Sequence, residues 1–475
     1  MRLGAPEYLP CLSPRRSATR RRGTASAKAR RSARSRRGGM ALRATALRRL
    51  APALASAGVA IAWREQSRTA AEPAQQRLFS CGVLRPSDTG DRVPARAPPS
   101  EAAFWASKGL RVVNMSYGQH HAAAVDHRGG VWAWASSEPT PRQLPCRSRI
   151  ASVASTDASL YAVTSKGKVL EWRDLFSADA SADALALPSA EPRPLGGGLA
   201  KVTAASVAAG ANHVLIVGKK GELVGLGDNR CGQLGLGAPE ERPGCTEPTL
   251  LGPFASPVVA AACGGGHSVV ALADGSCLSF GDDRHLQLGV RSPSIKDLRR
   301  GYDQLGGSTL SRPRPVEQMQ GRHVTKVAAG GGGKDGGKDG GHTAFVVRGE
   351  AGDEVWMCGN GRWGQLGSKR FDHISEPQLV GTLSRLRQYD EALRKVQAIR
   401  VLEVGCGARH TAVVLETGNV FVWGWNDKGQ LGTLVEGQRG SPGTHTPTML
   451  KAPSELRFTP LRGLCCGPSS TSFWS

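Results

Sequence analysis

An all-β, seven-bladed propeller is the fold this sequence predicts, closed within one blade by strands from both ends of the repeat region. Three observations carry that expectation. A two-part unit recurs along the body of the chain. Glycine is abundant (61 of 475 residues) while aromatics make up only 5%, which suits short strands joined by tight turns and not long helices. The first and last segments of the repeat region each hold half of a unit, and the halves complement one another. A chain of this length is too long for one small core, but a propeller grows by adding blades.

Internal repetition governs the rest of the reading. The first half of the unit reads V-x-A-G-x-x-H-[ST]-x-x-[VL]. It occurs at Val207–His213, Cys263–Ser268 and Val404–Thr411, and more loosely at Tyr117–Ala122. A fifth copy starts at Val327, is interrupted by glycine-rich sequence after Gly330, and resumes at Gly341-His342-Thr343. Two more copies place Ser159 and Ser470 at the His position. His121, His213, His267, His342 and His410 are therefore structural repeat positions. Each reads as a buried histidine bonding its own blade's turn. Seven such positions spread round a ring stand too far apart to share an ion, so neither a metal nor another cofactor is expected.

The second half reads G-x-[VL]-x-x-[WF]-G-x-N-x-x-G-Q-L-G. The best copies are Gly418–Gly432 and Val355–Gly367; others lie at Gly221–Gly235 and Gly275–Gly289, with weaker ones at Gly129–Ser136 and Gly167–Asp174. The glycines Gly232, Gly235, Gly364, Gly367, Gly429 and Gly432 give the chain positive φ at its turns and let blades approach closely. The seventh copy, Arg77–Gly82, lies far in the sequence from its partner half around Cys466–Thr471. Cutting the ring inside a blade lets strand pairing close it and hides two strand edges. Each unit reads as four short strands, from the alternation in Val-Phe-Val-Trp and Ala-Val-Val-Leu.

The propeller spans 77–475. Ahead of it, residues 1–50 hold fifteen Lys or Arg against the single acid Glu7, so more than half of the net charge of +23 sits there. Arginine among Ser, Ala and Gly is the composition of a mitochondrial presequence, assigned here to residues 1–49, disordered or helical; a secretory signal would carry an apolar run near its start. From Met40 onward, Leu42, Ala46 and Leu50 share a helical face with Arg43, Arg48 and Arg49 away from it. The apolar stretch 50–63 is shorter than the roughly 20 residues of a comfortable membrane span. It reads either as a weak inner-membrane anchor or as the apolar end of the presequence, and 64–76 as a linker. The rival readings are a nuclear-localisation or nucleic-acid tail and translation starting at Met40.

Insertions are expected at 290–323, 331–341 and 368–400. The Gly332–Asp339 run nearly fits a phosphate-binding loop, but Asp339 stands where a hydroxyl is required, and no strand-then-helix frame surrounds it. It reads as a flexible insertion. In 368–400, Leu383, Leu386, Leu393 and Val396 fall at helical spacing with Arg385, Arg387, Arg394 and Lys395 between them. This predicts a helix on one propeller face, either covering its own blade or, with those four cations, docking a partner. The eleven cysteines show no C-x-x-C pair, and most read as small apolar strand residues in a chain without a disulfide framework. Asn114-Met-Ser116 fits a glycosylation sequon but lies in a predicted strand. No nucleophile–base–acid set appears, so no enzymatic activity is expected.

The G-x-x-H-[ST] and G-Q-L-G pair at this spacing resembles the regulator-of-chromosome-condensation repeat, over about 77–475. The resemblance implies a seven-bladed propeller without implying one function. With the basic leader and short apolar stretch, the layout is similar to the mitochondrial branch of that family. It resembles fungal inner-membrane proteins implied in assembly of respiratory complex III (cytochrome bc1). It also resembles animal mitochondrial relatives implied in fusion-GTPase exchange and in ribosome or RNA handling. The expectation is a monomeric scaffold at the mitochondrial inner membrane whose partners are proteins, a respiratory-complex subunit or a GTPase, and not nucleic acid. The alternatives are a guanine-nucleotide exchange factor and a nuclear chromatin-associated propeller.

Overall fold

The computed structural model describes residues 77–83, 100–135, 139–173, 175, 191–290, 309–331, 340–390, 394–432, 443–450 and 461–475. All belong to the compact unit Ala51–Ser475; the presequence-like segment and the apolar stretch 50–63 lie outside them.

Seven four-stranded antiparallel sheets form seven blades. Blade 1 holds Val112–Tyr117, His121–Asp126, Val131–Ala135 and Arg142–Gln143. Blade 2 holds Ile150–Ser155, Leu160–Thr164, Val169–Trp172 and Arg193–Pro194. Blade 3 holds Ala204–Ala209, His213–Gly218, Leu223–Asp228 and Gly244–Leu251. Blade 4 holds Val258–Cys263, His267–Leu272, Cys277–Asp282 and Thr309–Pro315. Blade 5 holds Val324–Gly330, His342–Gly349, Gly352–Gly359 and Ile374–Leu379. Blade 6 holds Val401–Cys406, His410–Leu415, Val420–Trp425 and Gly443–Met449. Blade 7 takes Gly463–Cys466 and Ser470–Trp474 from one end of the repeat region, and Leu78–Gly82 and Ser100–Glu101 from the other.

The first strand of every blade lies against the first strands of its two neighbours, and blade 7 meets blade 1, so the ring is closed. The seam is a full strand pairing: Leu78 faces Trp474 and Gly82 faces Ser470. Phe79 stacks on Phe473 with ring centroids 5.8 Å apart. Burying one such aromatic stabilises by about 1.5–3 kcal/mol, and the seam strand Leu78–Gly82 is buried along its whole length.

The core lies between blades, not within them. In the second strand of blade 5, Ala344 and Val346 pack toward blade 6, while Phe345 and Val347 pack toward blade 4. Alternation sends successive side chains to opposite faces of the sheet, and both faces are covered. That is why the second strands read as unbroken buried runs.

Two expected insertions contain blade strands. Thr309–Pro315, inside 290–323, is the fourth strand of blade 4, and Ile374–Leu379, inside 368–400, is the fourth strand of blade 5. These outermost strands are largely exposed or half-exposed, so they lack the apolar alternation that marks the inner three. The helix expected over 383–396 is also corrected. Gly381–Ser384 forms a single helical turn, and Arg387–Asp390 pairs with Lys395–Ala398 in a hairpin that joins no blade. Leu383 and Leu386 pack on the core between blades 5 and 6, whereas Val396 is 63% exposed. The helical spacing was the coincidence of one apolar turn followed by a strand pair.

Candidate interaction surface

The repeated histidines do not serve their own blades' turns alone, which corrects the expectation. Four of the five, His213, His267, His342 and His410, reach across to the next blade. His213 Nε2 meets Ser268 Oγ at 2.9 Å, His267 meets Thr343 Oγ1 at 3.0 Å, His342 meets Thr411 at 3.0 Å and His410 meets Thr471 at 2.9 Å. The same hydroxyls donate back to the carbonyls of Gln233, Gln287, Gln365 and Gln430, at 2.6–2.9 Å. A hydroxyl has one proton, and it is spent on the carbonyl. Nε2 must therefore be the donor. Burial pushes the pKa of these rings down, to about 3 for His121, His213 and His342 and about 4 for His267 and His410.

The G-Q-L-G loop is shaped to offer that carbonyl. The Gln365 side chain accepts the Trp363 N–H at 2.9 Å, and Asn426 accepts the Leu431 N–H at 2.9 Å. The six glycines noted above sit at φ between +60° and +81°. At Gly364 a Cβ would come within 2.8 Å of the His445 Cα.

Four consecutive junctions, from blades 3/4 to 6/7, carry this clasp. The other three do not, because Ala122, Leu160 and Val214 stand where the hydroxyl is needed. Other bonds tie those junctions. Tyr117 and Ser472 share a buried hydroxyl contact at 2.5 Å, Asn114 and Ser116 accept the N–H groups of Val153 and Ser155, and Asp157 N–H donates to Ala211 O. The sequon residue Asn114 is thus buried and used structurally.

The clasp loops of blades 5 and 6 also place aromatic and cationic side chains together. Trp363 and Trp425 meet edge-on, with centroids 4.3 Å apart and planes at 63°. The guanidinium groups of Arg409 and Arg362 lie over the Trp363 ring at 5.0 and 5.5 Å. Both indoles are half-buried and Arg362 is exposed. None was singled out from the sequence, since they occupy variable positions of G-x-N-x-x-G-Q-L-G and G-x-x-H; a tryptophan in two adjacent copies was the available signal.

Family models of the regulator of chromosome condensation (RCC1) repeat match residues 220–271, 353–414 and 417–474, and also 204–233 and 401–430. These stretches of the chain match RCC1 repeats. It is 25% identical over 401 residues to the human E3 ubiquitin-protein ligase HERC2, covering 76% of this chain but only 8% of the ligase. It is 25% identical over 381 residues to the ultraviolet-B receptor UVR8 of Arabidopsis thaliana, covering 76% of this chain and 74% of the receptor. Prp20p from Saccharomyces cerevisiae superposes with a TM-score of 0.64 at 18% identity, over 84% of this chain and 91% of its own. Human WBSCR16 gives 0.61 at 21% identity, over 84% and 98%. These likenesses show the fold.

On the opposite face of the propeller, the hairpin between blades 5 and 6 gathers the four basic residues. Arg385 follows the helical turn, Arg387 opens the first strand, Arg394 sits at the turn with φ +47° and Lys395 opens the second strand. Arg385, Arg387 and Arg394 are exposed. Arg387 Nη1 donates to the carbonyls of Leu386 and Ser384 at 2.7 and 3.0 Å. A cavity of about 330 Å³ lies beneath, lined by Glu350, Asp353, Leu383, Leu386, Arg387 and Ile399. Its Asp353 carboxylate is buried and held by Arg400 at 2.8 Å and by the Val401 N–H.

Among the described residues no cluster of His, Cys, Asp and Glu could hold a metal ion, and no helix is long and apolar enough to cross a membrane. The ten described cysteines form no disulfide with one another. Gly332–Asp339 lies outside the described residues.

Proposed function

We propose that this RCC1-repeat propeller is a protein-binding scaffold and not a side-chain catalyst, and that it docks a partner through the hairpin 387–398. The hairpin carries the reading. It stands apart from all seven blades, an isolated two-stranded pair is only marginally stable in water, and it displays the exposed Arg387 and Arg394, with exposed Arg385 just ahead of it. Replacing 387–398 by a short Gly/Ser linker should leave the thermal midpoint nearly unchanged and abolish partner capture. Undiminished capture would remove the hairpin from the interface.

The finer reading is a mitochondrial scaffold aiding assembly of an inner-membrane respiratory complex, namely complex III. It is supported by the basic, acid-poor composition of residues 1–49 and the apolar stretch 50–63. Fractionation of a C-terminally tagged chain, with carbonate extraction and protease protection, tests it. A shortened form in the mitochondrial carbonate pellet, co-migrating with complex III precursors on native gels, is the expected outcome; an uncleaved nuclear protein refutes it. The second reading is exchange on a GTPase, favoured by the shared fold with Prp20p, which binds Gsp1p and histones. Accelerated GDP release from a candidate GTPase would select it.

A further inference from the structure

The clasp face of blades 5 and 6, at the opposite end of the strands from the hairpin, carries a recognition surface with its own chemistry. Trp363 is its centre. One edge of its environment is filled by Trp425, and two guanidinium groups lie over its ring. Its Nε1 is buried with no hydrogen-bond partner, although a buried indole N–H ordinarily finds an acceptor. Farther along the same loop, Lys369, Arg370 and Phe371 are exposed, and Phe371 lies 5.0 Å from the His445 ring. Beneath them His373, which accepts the Gly361 N–H, is held neutral: burial, then His285 and Arg362, push its pKa down to about 4. The loop's cations are thus Arg362, Lys369 and Arg370, against the one acid Asp372.

A guanidinium stacked on an indole keeps its in-plane N–H groups for an acceptor outside the stack. A carboxylate received there in bidentate fashion gains a charge-assisted pair. Nucleic acid would need an open aromatic face on which a base can stack, and the Trp363 ring is already covered by cations and by Trp425. We propose that this surface binds an acidic linear segment of a protein partner, a carboxylate taken by Arg362 and an acceptor by Trp363 Nε1, with Phe371 meeting an apolar residue of the segment. The inference deepens the scaffold reading without depending on the hairpin.

Fluorescence polarisation on the full chain tests it. The probe is a short synthetic peptide rich in glutamate with one phenylalanine, and the control peptide has glutamine at every glutamate. The basic N-terminal segment attracts any acidic probe, so the readout is the difference between variants. Arg362→Gln and Trp363→Phe should each weaken binding about tenfold, the expected loss of one charge-assisted hydrogen bond. Arg230→Gln, at the corresponding loop of blade 3 where the arginine is paired with Asp228 at 2.9 Å, should leave it unchanged. Arg362 is exposed, so its variant remains informative if Trp363→Phe lowers the thermal midpoint. Equal affinity in wild type and Arg362→Gln, equal binding of the glutamine peptide, or tighter binding of an oligothymidine through the same residues each overturns the proposal. Deleting the hairpin and retaining this difference would separate the two surfaces.

Discussion

Single residues show how much of the RCC1 motif is structural chemistry. In Thr411 one hydroxyl serves two blades, accepting from His342 and donating to Gln365. Thr411→Val keeps the shape and strands both partners in a dry interface. The expected cost is about 1–3 kcal/mol, read as a lowered midpoint in urea; a change within error would show that the clasp contributes nothing net. Asp283 makes the complementary case. It stands where other blades have Asn229 and Asn426, and its carboxylate accepts the Leu288 N–H at 3.0 Å. Burial first, and then Asp282, raises its pKa from 3.8 to about 7, against the lowering effect of the Leu288 N–H. A carboxyl whose folded pKa is raised contributes stability at low pH that is lost as pH climbs from about 4 to about 7. Asp283→Asn keeps the acceptor and cannot ionise, so its melting temperature should exceed that of wild type at pH 8 and match it near pH 4. The reverse pattern would show that the aspartate is ionised and satisfied in the fold.

Among elements, the unequal junctions set local stability. Blades 3 to 7 are joined by four His–hydroxyl clasps, and the junctions 7/1, 1/2 and 2/3 by polar bonds of other kinds. Local opening follows the weakest set of buried contacts. Amide hydrogen exchange should therefore be faster in the second strands of blades 1 and 2 than in those of blades 4 to 6; uniform protection round the ring would contradict this. The arc is readable in sequence, because Ser or Thr follows the histidine in blades 4, 5 and 6 but Ala122 and Val214 do not supply the hydroxyl. The hairpin was not readable. Tyr389 pairs with Val396 and Asp390 with Lys395 in antiparallel backbone register, whereas the same residues in linear order mimic an amphipathic helix.

For the whole molecule, five buried neutral histidines with depressed pKa values make the ring acid-sensitive. A histidine whose folded pKa lies below 6.5 contributes stability that is fully present above 6.5 and lost as pH falls toward about 4. Asp283 works in the opposite sense and is one group against five. Tryptophan fluorescence followed against pH should report cooperative unfolding between 6.5 and about 4. Native emission retained at pH 3 would mean the histidines are not held neutral in the fold.

The sequence by itself determined the repeat, its sevenfold recurrence and the split blade, because strand period and turn glycines are local and each copy restates them. It also marked which histidines and glycines matter. Only the tertiary structure decided what they touch. The clasp partners lie 55 to 76 residues apart, Trp363 meets Trp425 and Arg409 from the next blade, and the outer strands are defined by pairing and not by apolar pattern. Those contacts arise where one blade's loop meets its neighbour, and a repeat read one copy at a time carries no record of that meeting.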